Sequence, residues 1–353
     1  MPKQLVVLVG AGASYDCLAT GLPYVEREWR PPLTREIFEM RTTFLNVLRK
    51  YPGAVASAEN IRASIRRGKP LERVIQEGLT SSSETIRRNF IQVALYIQEL
   101  IHTATSEFGH THSTKFHALV EIVEQRLGSA FDRVLFISLN YDGFLEKALY
   151  DFYSVTFSSF DDYLSRGSWS LVKLHGSANW GFPYIKAPGG TDGIPEDDQF
   201  RRYLEALRTD KTEPKPALAD IMMVGSSIER SKLKRYHNGH FVYPAIAAPI
   251  EGKAEFVCPI AHSQYAEQFV AECSDFLVLG CAILDQDVHG LLSKMANVQR
   301  LLVVNGTQQF GLFALEKLRN CNSVFNTFRD NCAFDGGFTS AMDDDHIAKF
   351  FDS

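Results

Sequence analysis

The chain is 353 residues long, and its 37 Lys+Arg against 42 Asp+Glu leave a formal net charge of -5. That length holds two domains or one large domain with an insertion, and 45% hydrophobic with 22% charged residues is a soluble, globular composition. The balance excludes a broad field that would draw in nucleic acid, and the lack of a long apolar run or a leader-like amino terminus points to a cytoplasmic protein without membrane contact.

Residues 5–9, LVVLV, read as a strand buried on both faces, the kind found in a parallel sheet. The run stops at Gly10, Ala11 and Gly12 and then offers Ser14. Glycines there permit a tight turn whose backbone N–H groups close on a phosphate where a helix begins. An ordinary turn is the plainer reading of the same residues. Pro31 and Pro32 break any helix in a long loop over this turn, and Thr34 is placed to cap a helix from Arg35. Residues 38–126 read as successive amphipathic helices, with apolar residues at three- and four-residue intervals in LERVIQEGL, NFIQVALYIQELIHTAT and KFHALVEIVEQRL. His110 to His112 lie near His102 and His117 without carboxylate or thiolate ligands at recognised spacing, so they read as surface histidines and no metal is expected.

Strand signals return at residues 132–140, DRVLFISLN, followed by a helical GFLEKALYDFY and a strand in WSLVKLHG. Residues 186–216 are rich in Pro, Gly and charge and read as an excursion with a short helix around residues 200–207. YPAIAAP, DFLVLG and RLLVVNG supply further strands, with a helix in DVHGLLSKMANV between the last two. Beyond Phe310 a helix leads into an acidic tail. The basic clusters at Arg66, Arg67 and Lys69, at Arg87 and Arg88, and in RSKLKR (230–235) read as solvated faces. Cys17, Cys258, Cys273, Cys281, Cys321 and Cys332 contain no C-x-x-C pair, hence neither a disulfide framework nor a zinc ribbon.

Strands and helices in alternation imply an α/β fold with a Rossmann-like, doubly wound parallel sheet and an inserted helical module. The expected division is a nucleotide-binding domain from 1–37 and 127–310, a helical insertion at 38–126, and a carboxyl-terminal piece at 311–353. Ligands of such sheets sit beyond the carboxyl ends of the strands, near a topological switch point. Gly10 to Ser14, Asn140 and Asp142, His175 and Gly176, Gly280 to Ala282, and Asn305 and Gly306 each follow one of the strand signals.

Taken in order, GAGAS (10–14), LNYDGFLEKAL (139–149), KLHGSANW (173–180), LGCAILDQDV (279–288) and LVVNG (302–306) resemble the sirtuin family. More closely they are similar to the sirtuin-like NAD-consuming effectors of bacterial antiviral defence. Protein-deacylating sirtuins carry a four-cysteine zinc module between the histidine-glycine block and the later glycine block. Here the interval from Gly176 to Gly280 holds only Cys258 and Cys273. That departure puts deacylation in doubt and leaves the NAD pocket intact.

The resemblance implies that Gly10, Ala11, Gly12 and Ser14 bind the NAD pyrophosphate, and that Gly280, Cys281 and Asn305 lie near the adenosine half. It makes Asn140, Asp142 and His175 the chemical centre: an amide that orients water, a carboxylate that holds the nicotinamide carboxamide, and a base acting on a ribose hydroxyl or on water. Asn140 and Asp142 as helix caps, Ser14 as a cap and His175 as a core histidine remain open alternatives. The implied activity is NAD glycohydrolysis, with NAD as substrate, regulated by homo-oligomeric assembly or by a HerA-like ATPase partner. NAD-dependent deacylation or ADP-ribosyl transfer, and a non-catalytic NAD or ADP-ribose sensor, are the alternatives.

Overall fold

The computed structural model describes residues 3–18, 30–69, 71–109, 113–164, 167–187, 194–209, 214, 218–227, 232–247 and 256–352. In chain order the strands are β1 (Gln4–Val9), β2 (Arg133–Ser138), β3 (Trp169–Lys173), β4 (Gly176–Lys186), β5 (Met222–Met223), β6 (Tyr236–His237), β7 (His240–Ile246), β8 (Asp275–Leu279), β9 (Arg300–Val304) and β10 (Ala333–Phe334). The helices are α1 (Ala11–Tyr15), α2 (Thr42–Leu48), α3 (Pro52–Arg66), α4 (Leu71–Leu79), α5 (Glu84–Gly109), α6 (Lys115–Glu124), α7 (Phe144–Tyr153), α8 (Glu196–Thr209), α9 (Ile260–Ala271), α10 (Gln286–Leu292), α11 (Gln308–Cys321), α12 (Phe338–Asp343) and α13 (His346–Asp352).

Six strands form one parallel sheet in the order β10-β9-β8-β1-β2-β3. β1 pairs with β2 on one side and β8 on the other, and every one of its residues is buried, which is why its apolar run shows no alternation. The chain builds outward from β1 through β2 to β3, then crosses over and builds outward again through β8, β9 and β10. The winding therefore reverses between β1 and β8, and a crevice opens there beyond their carboxyl ends.

YPAIAAP does not join this sheet. Its described residues, 243–247, lie in β7 and just past its end, within a separate four-stranded antiparallel sheet ordered β5-β4-β7-β6. β4 follows β3 almost at once, through Gly176 at φ 84°, where a Cβ would stand 2.0 Å from the Ala245 carbonyl oxygen. β4 carries Gly181 and Pro183 and its register against β7 shifts at both, so it lacks the clean pattern of a strand in sequence.

The stretch expected as the insertion holds α2 to α6. α5 packs on the small sheet, where Gln98 Nε2 donates to the Trp180 carbonyl at 2.8 Å and the Tyr243 hydroxyl to the Ile91 carbonyl at 3.0 Å. Buried apolar residues of the insertion and of the large sheet belong to one contiguous cluster. Thr34 to Glu36 make only a 3-10 turn, with Leu33 rather than Thr34 at its N-cap, and the next helix begins at Thr42. Of RSKLKR, Arg235 is no solvated charge: its side chain is 11% exposed and paired with Glu99 at 3.3 Å. The acidic carboxyl-terminal stretch folds back through β10, α12 and α13, with Arg126 bound to Asp352 at 2.9 Å and Lys115 paired with Asp343. His110 to His112 lie outside the described residues. Among the described residues no helix is long and apolar enough to cross a membrane.

Candidate active site

The ends of β1, β2, β3, β8 and β9 surround one cleft of about 740 Å³, within the range of small-molecule sites. Gly10, Ala11, Gly12, Ser14, Asn140, Asp142, His175, Gly280, Cys281 and Asn305 all line it. Pro31 to Thr34 from the loop over the glycine turn, and Gly337, Phe338 and Ser340 from the carboxyl-terminal segment, contribute further wall.

The glycine turn is shaped by the loop after β8. Gly10 N–H donates to the Leu279 carbonyl and Gly12 N–H to the Gly280 carbonyl, each at 2.9 Å. A Cβ on Gly10 would sit 2.6 Å from the Gly280 oxygen, and one on Gly280, at φ 60°, would sit 1.9 Å from the Ala13 nitrogen. These glycines are therefore demanded by one backbone lying on another. The N–H groups of Gly10 and Gly12, expected to face a phosphate, are already committed to that contact.

Asn140 is anchored across this turn. Its Nδ2 donates to the Gly10 carbonyl at 3.0 Å and to Ser14 Oγ at 2.8 Å, and its backbone N–H to Ser138 Oγ at 3.2 Å. The Gly10 carbonyl can only accept, so the amide orientation is determined by the network. Asn140 is 5% exposed and its Oδ1 is buried without a hydrogen-bond partner among the described residues, an unspent acceptor at the cleft wall. Ser14, expected to reach a phosphate, uses its oxygen to hold this amide.

Asp142 accepts the Phe144 N–H on Oδ1 at 3.2 Å in a local turn one residue ahead of Gly143, the N-cap of α7, and it lines the cleft. Behind it, Lys173 and Glu146 form a fully buried ion pair at 2.9 Å, and Lys173 Nζ also donates to the Asp142 carbonyl. Burial pushes the Glu146 carboxyl up from its ordinary 4.5, and the Lys173 ammonium pulls against that rise. The ammonium thereby pins the Asp142 loop to the strand that leads into His175.

His175 is 4% exposed, and its Nε2 stands 3.4 Å from Asp287 Oδ2 and 4.0 Å from Asp285 Oδ2. One ligand atom from each of these three residues lies within 4.8 Å of the others, the spacing of a candidate cation site. Cys281 is buried, its thiol pushed up to about 12, so it offers the cleft a neutral wall and no nucleophile. Asn305 Nδ2 donates to the Cys281 and Phe310 carbonyls at 3.3 Å each, tying the loop after β8 to α11.

At the mouth, Asp16 accepts the Thr339 N–H at 3.0 Å, and burial raises its carboxyl above 3.8 despite that bond and the nearby Arg30 charge. Arg30 lies over the Tyr15 ring, 4.6 Å from its centroid. Asp285, Asp287 and Lys173 received no role from sequence. Two acids two residues apart at the start of a helix, beyond a glycine-ended strand, were the available sign for the first pair. A lysine inside an otherwise apolar strand was the sign for the third.

No family model and no curated protein matches this sequence. Among solved structures, the chain is similar to a Sir2 homologue in complex with NAD, at 14% identity over 91% of this chain and 90% of that one, TM-score 0.34. It is also similar to a sirtuin solved for the structural basis of substrate affinity, at 13% identity over 86% and 83%, TM-score 0.33. A third similar structure is Sir2 with a p53 peptide and NAD+, at 13% identity over 80% and 72%, TM-score 0.29. At such scores the chemistry of the cleft has to be argued from its own residues.

Proposed function

We propose that this cleft binds NAD and hydrolyses its nicotinamide–ribose bond. The observation that carries the reading is the unspent Oδ1 of Asn140, held at the switch-point crevice beside Asp142 and His175. Breaking this bond sends its electron pair to nicotinamide and leaves a ribosyl cation. A neutral, anchored amide oxygen accepts a hydrogen bond from water and aims the water's lone pair at the anomeric carbon. Asp142, one oxygen on the Phe144 N–H, has its other oxygen to accept from the carboxamide and to offset the developing positive charge. His175 takes the proton released as the water oxygen bonds to carbon. NAD and water thus yield nicotinamide, ADP-ribose and a proton.

The sequence resemblance supplies the choice of NAD and the biological setting: an antiviral effector that drains NAD, restrained by self-assembly or by a HerA-like ATPase partner. Purified full-length chain, alone and with its genomic neighbour, is incubated with NAD and assayed for nicotinamide and free ADP-ribose. Asn140→Ala and His175→Ala are each expected to lose at least 100-fold in turnover, the scale of a general acid–base or water-positioning group. Full activity in either variant refutes the assignment. Turnover only with an acetylated peptide would instead identify a deacylase, and tight binding without cleavage a sensor.

A further inference from the structure

The acids beside His175 carry the reading of that residue one step further. Resting on His175 as the proton acceptor, the geometry points to Asp287 as its positioning residue: the carboxylate selects the tautomer with the proton on Nε2 and leaves Nδ1 as the basic nitrogen.

His175 Nε2 is buried with no aligned hydrogen-bond partner among the described residues, yet it faces Asp287 Oδ2 at 3.4 Å. A buried ring nitrogen so placed lacks the water that would otherwise solvate it. Catalytic hydrogen bonds of this kind are often long before substrate binds and tighten in the complex. The carboxylate cannot wander to avoid the contact, for the Asp287 side chain is 2% exposed and its Oδ1 accepts the Val288 N–H at 2.8 Å. The preceding loop is locked as well. Gly280 is interlocked with the glycine turn, Ile283 holds φ 52°, and the Ile283 carbonyl accepts from His289 Nε2 at 2.8 Å. Asp285, 4.0 Å from the imidazole and 32% exposed, is the lesser partner.

The other titratable groups on the cleft wall are Tyr141 and Asp142 from the loop after β2, Tyr15 and Asp16 from α1 and its end, and Cys281. Cys258, which senses the Asp287 charge, is pushed up to about 12 mainly by burial and stays neutral. Among the described residues no lysine or arginine lines the cleft. An imidazolium formed at His175 therefore has Asp287 as its nearest counter-charge, which stabilises it as the proton arrives.

The test uses full-length Asp287→Asn, with Asp287→Glu as rescue and Asp285→Asn as comparison. Asp287→Asn should lower kcat for nicotinamide release by about 10²–10⁴-fold, the span of a general base, while KM for NAD changes less than about threefold. Asp287→Glu should recover part of the loss, and Asp285→Asn should lose less. Independently of turnover, ¹⁵N–¹H correlation of the His175 ring should show the Nε2–H tautomer in the wild type, with the Nδ1–H form gaining population in Asp287→Asn. The pairing is overturned by wild-type kcat in Asp287→Asn, or by an Nδ1–H tautomer in the wild type. It is also overturned if a divalent metal copurifies, is lost with Asp287→Asn, and restores turnover as added Mn²⁺ or Zn²⁺, for the three groups would then be its ligands. If wild-type chain with its partner releases no nicotinamide while the ring still shows the Asp287-dependent Nε2–H tautomer, the NAD reading falls and the pairing stands.

Discussion

Replacing Lys173 by Met removes the ammonium and leaves Glu146 as a carboxylate with no exposure to solvent. The hydroxyl of Tyr163, 3.5 Å from Glu146 Oε1, is a weak substitute. Breaking a buried pair from one side costs about 3–5 kcal/mol, because the remaining charge is uncompensated. With the ammonium gone, burial and the Asp142 charge push Glu146 up against only a backbone hydrogen bond, and its folded pKa rises further above its unfolded value. A raised carboxyl means that the folded state prefers the protonated form. Stability is then greatest below the ordinary 4.5 and is lost as pH rises toward the folded pKa. The penalty of K173M is therefore expected to be about 3–5 kcal/mol at pH 7.5, where the stranded carboxylate must stay charged or take up a proton, and smaller at pH 5. Urea unfolding of wild type and variant at the two pH values measures this directly. The double variant Lys173→Met with Glu146→Leu should recover most of the loss at pH 7.5. A K173M penalty below about 1 kcal/mol, or one equal at both pH values, refutes the account of this pair.

Two further predictions follow from neighbouring packing. Gly280→Ala places a methyl group 1.9 Å from the Ala13 nitrogen at φ 60°, so thermal unfolding should register a loss of about 3 kcal/mol or more, and NAD cleavage should fall as the glycine turn is displaced; a variant as stable as wild type would contradict the interlock. His262, packed edge-on against Trp180 and Phe160, is held down to about 4 from its ordinary 6.5 by burial. Its folded state prefers the neutral ring, so the contribution is complete above 6.5 and is lost as pH falls toward 4, about 3 kcal/mol in all. His262→Phe should flatten the stability–pH curve over that window, and an unchanged slope would show that another group causes it.

Much of the large sheet was legible in the sequence, because a strand covered on both faces has to be apolar throughout and the turn that ends it needs small or polar residues. Those two local rules located the ends of five strands, and with them part of the cleft wall, while Asp285 and the wall residues near 337–340 lay outside their reach. The small antiparallel sheet was not legible: β4 includes a glycine and a proline at register shifts, and β5 and β6 are two residues each, too short for any period to show.

Periodicity reports that a side chain is covered, and only the folded chain decides by what. Ser14 lies 126 positions from the amide it holds, Lys173 lies 27 from the carboxylate it neutralises, and Asp287 meets an imidazole on a different strand end. The glycines of the first turn could be counted from residues alone. That they yield to another backbone, spending the N–H groups of Gly10 and Gly12 on Leu279 and Gly280, follows from strands that adjoin in space though far apart in sequence.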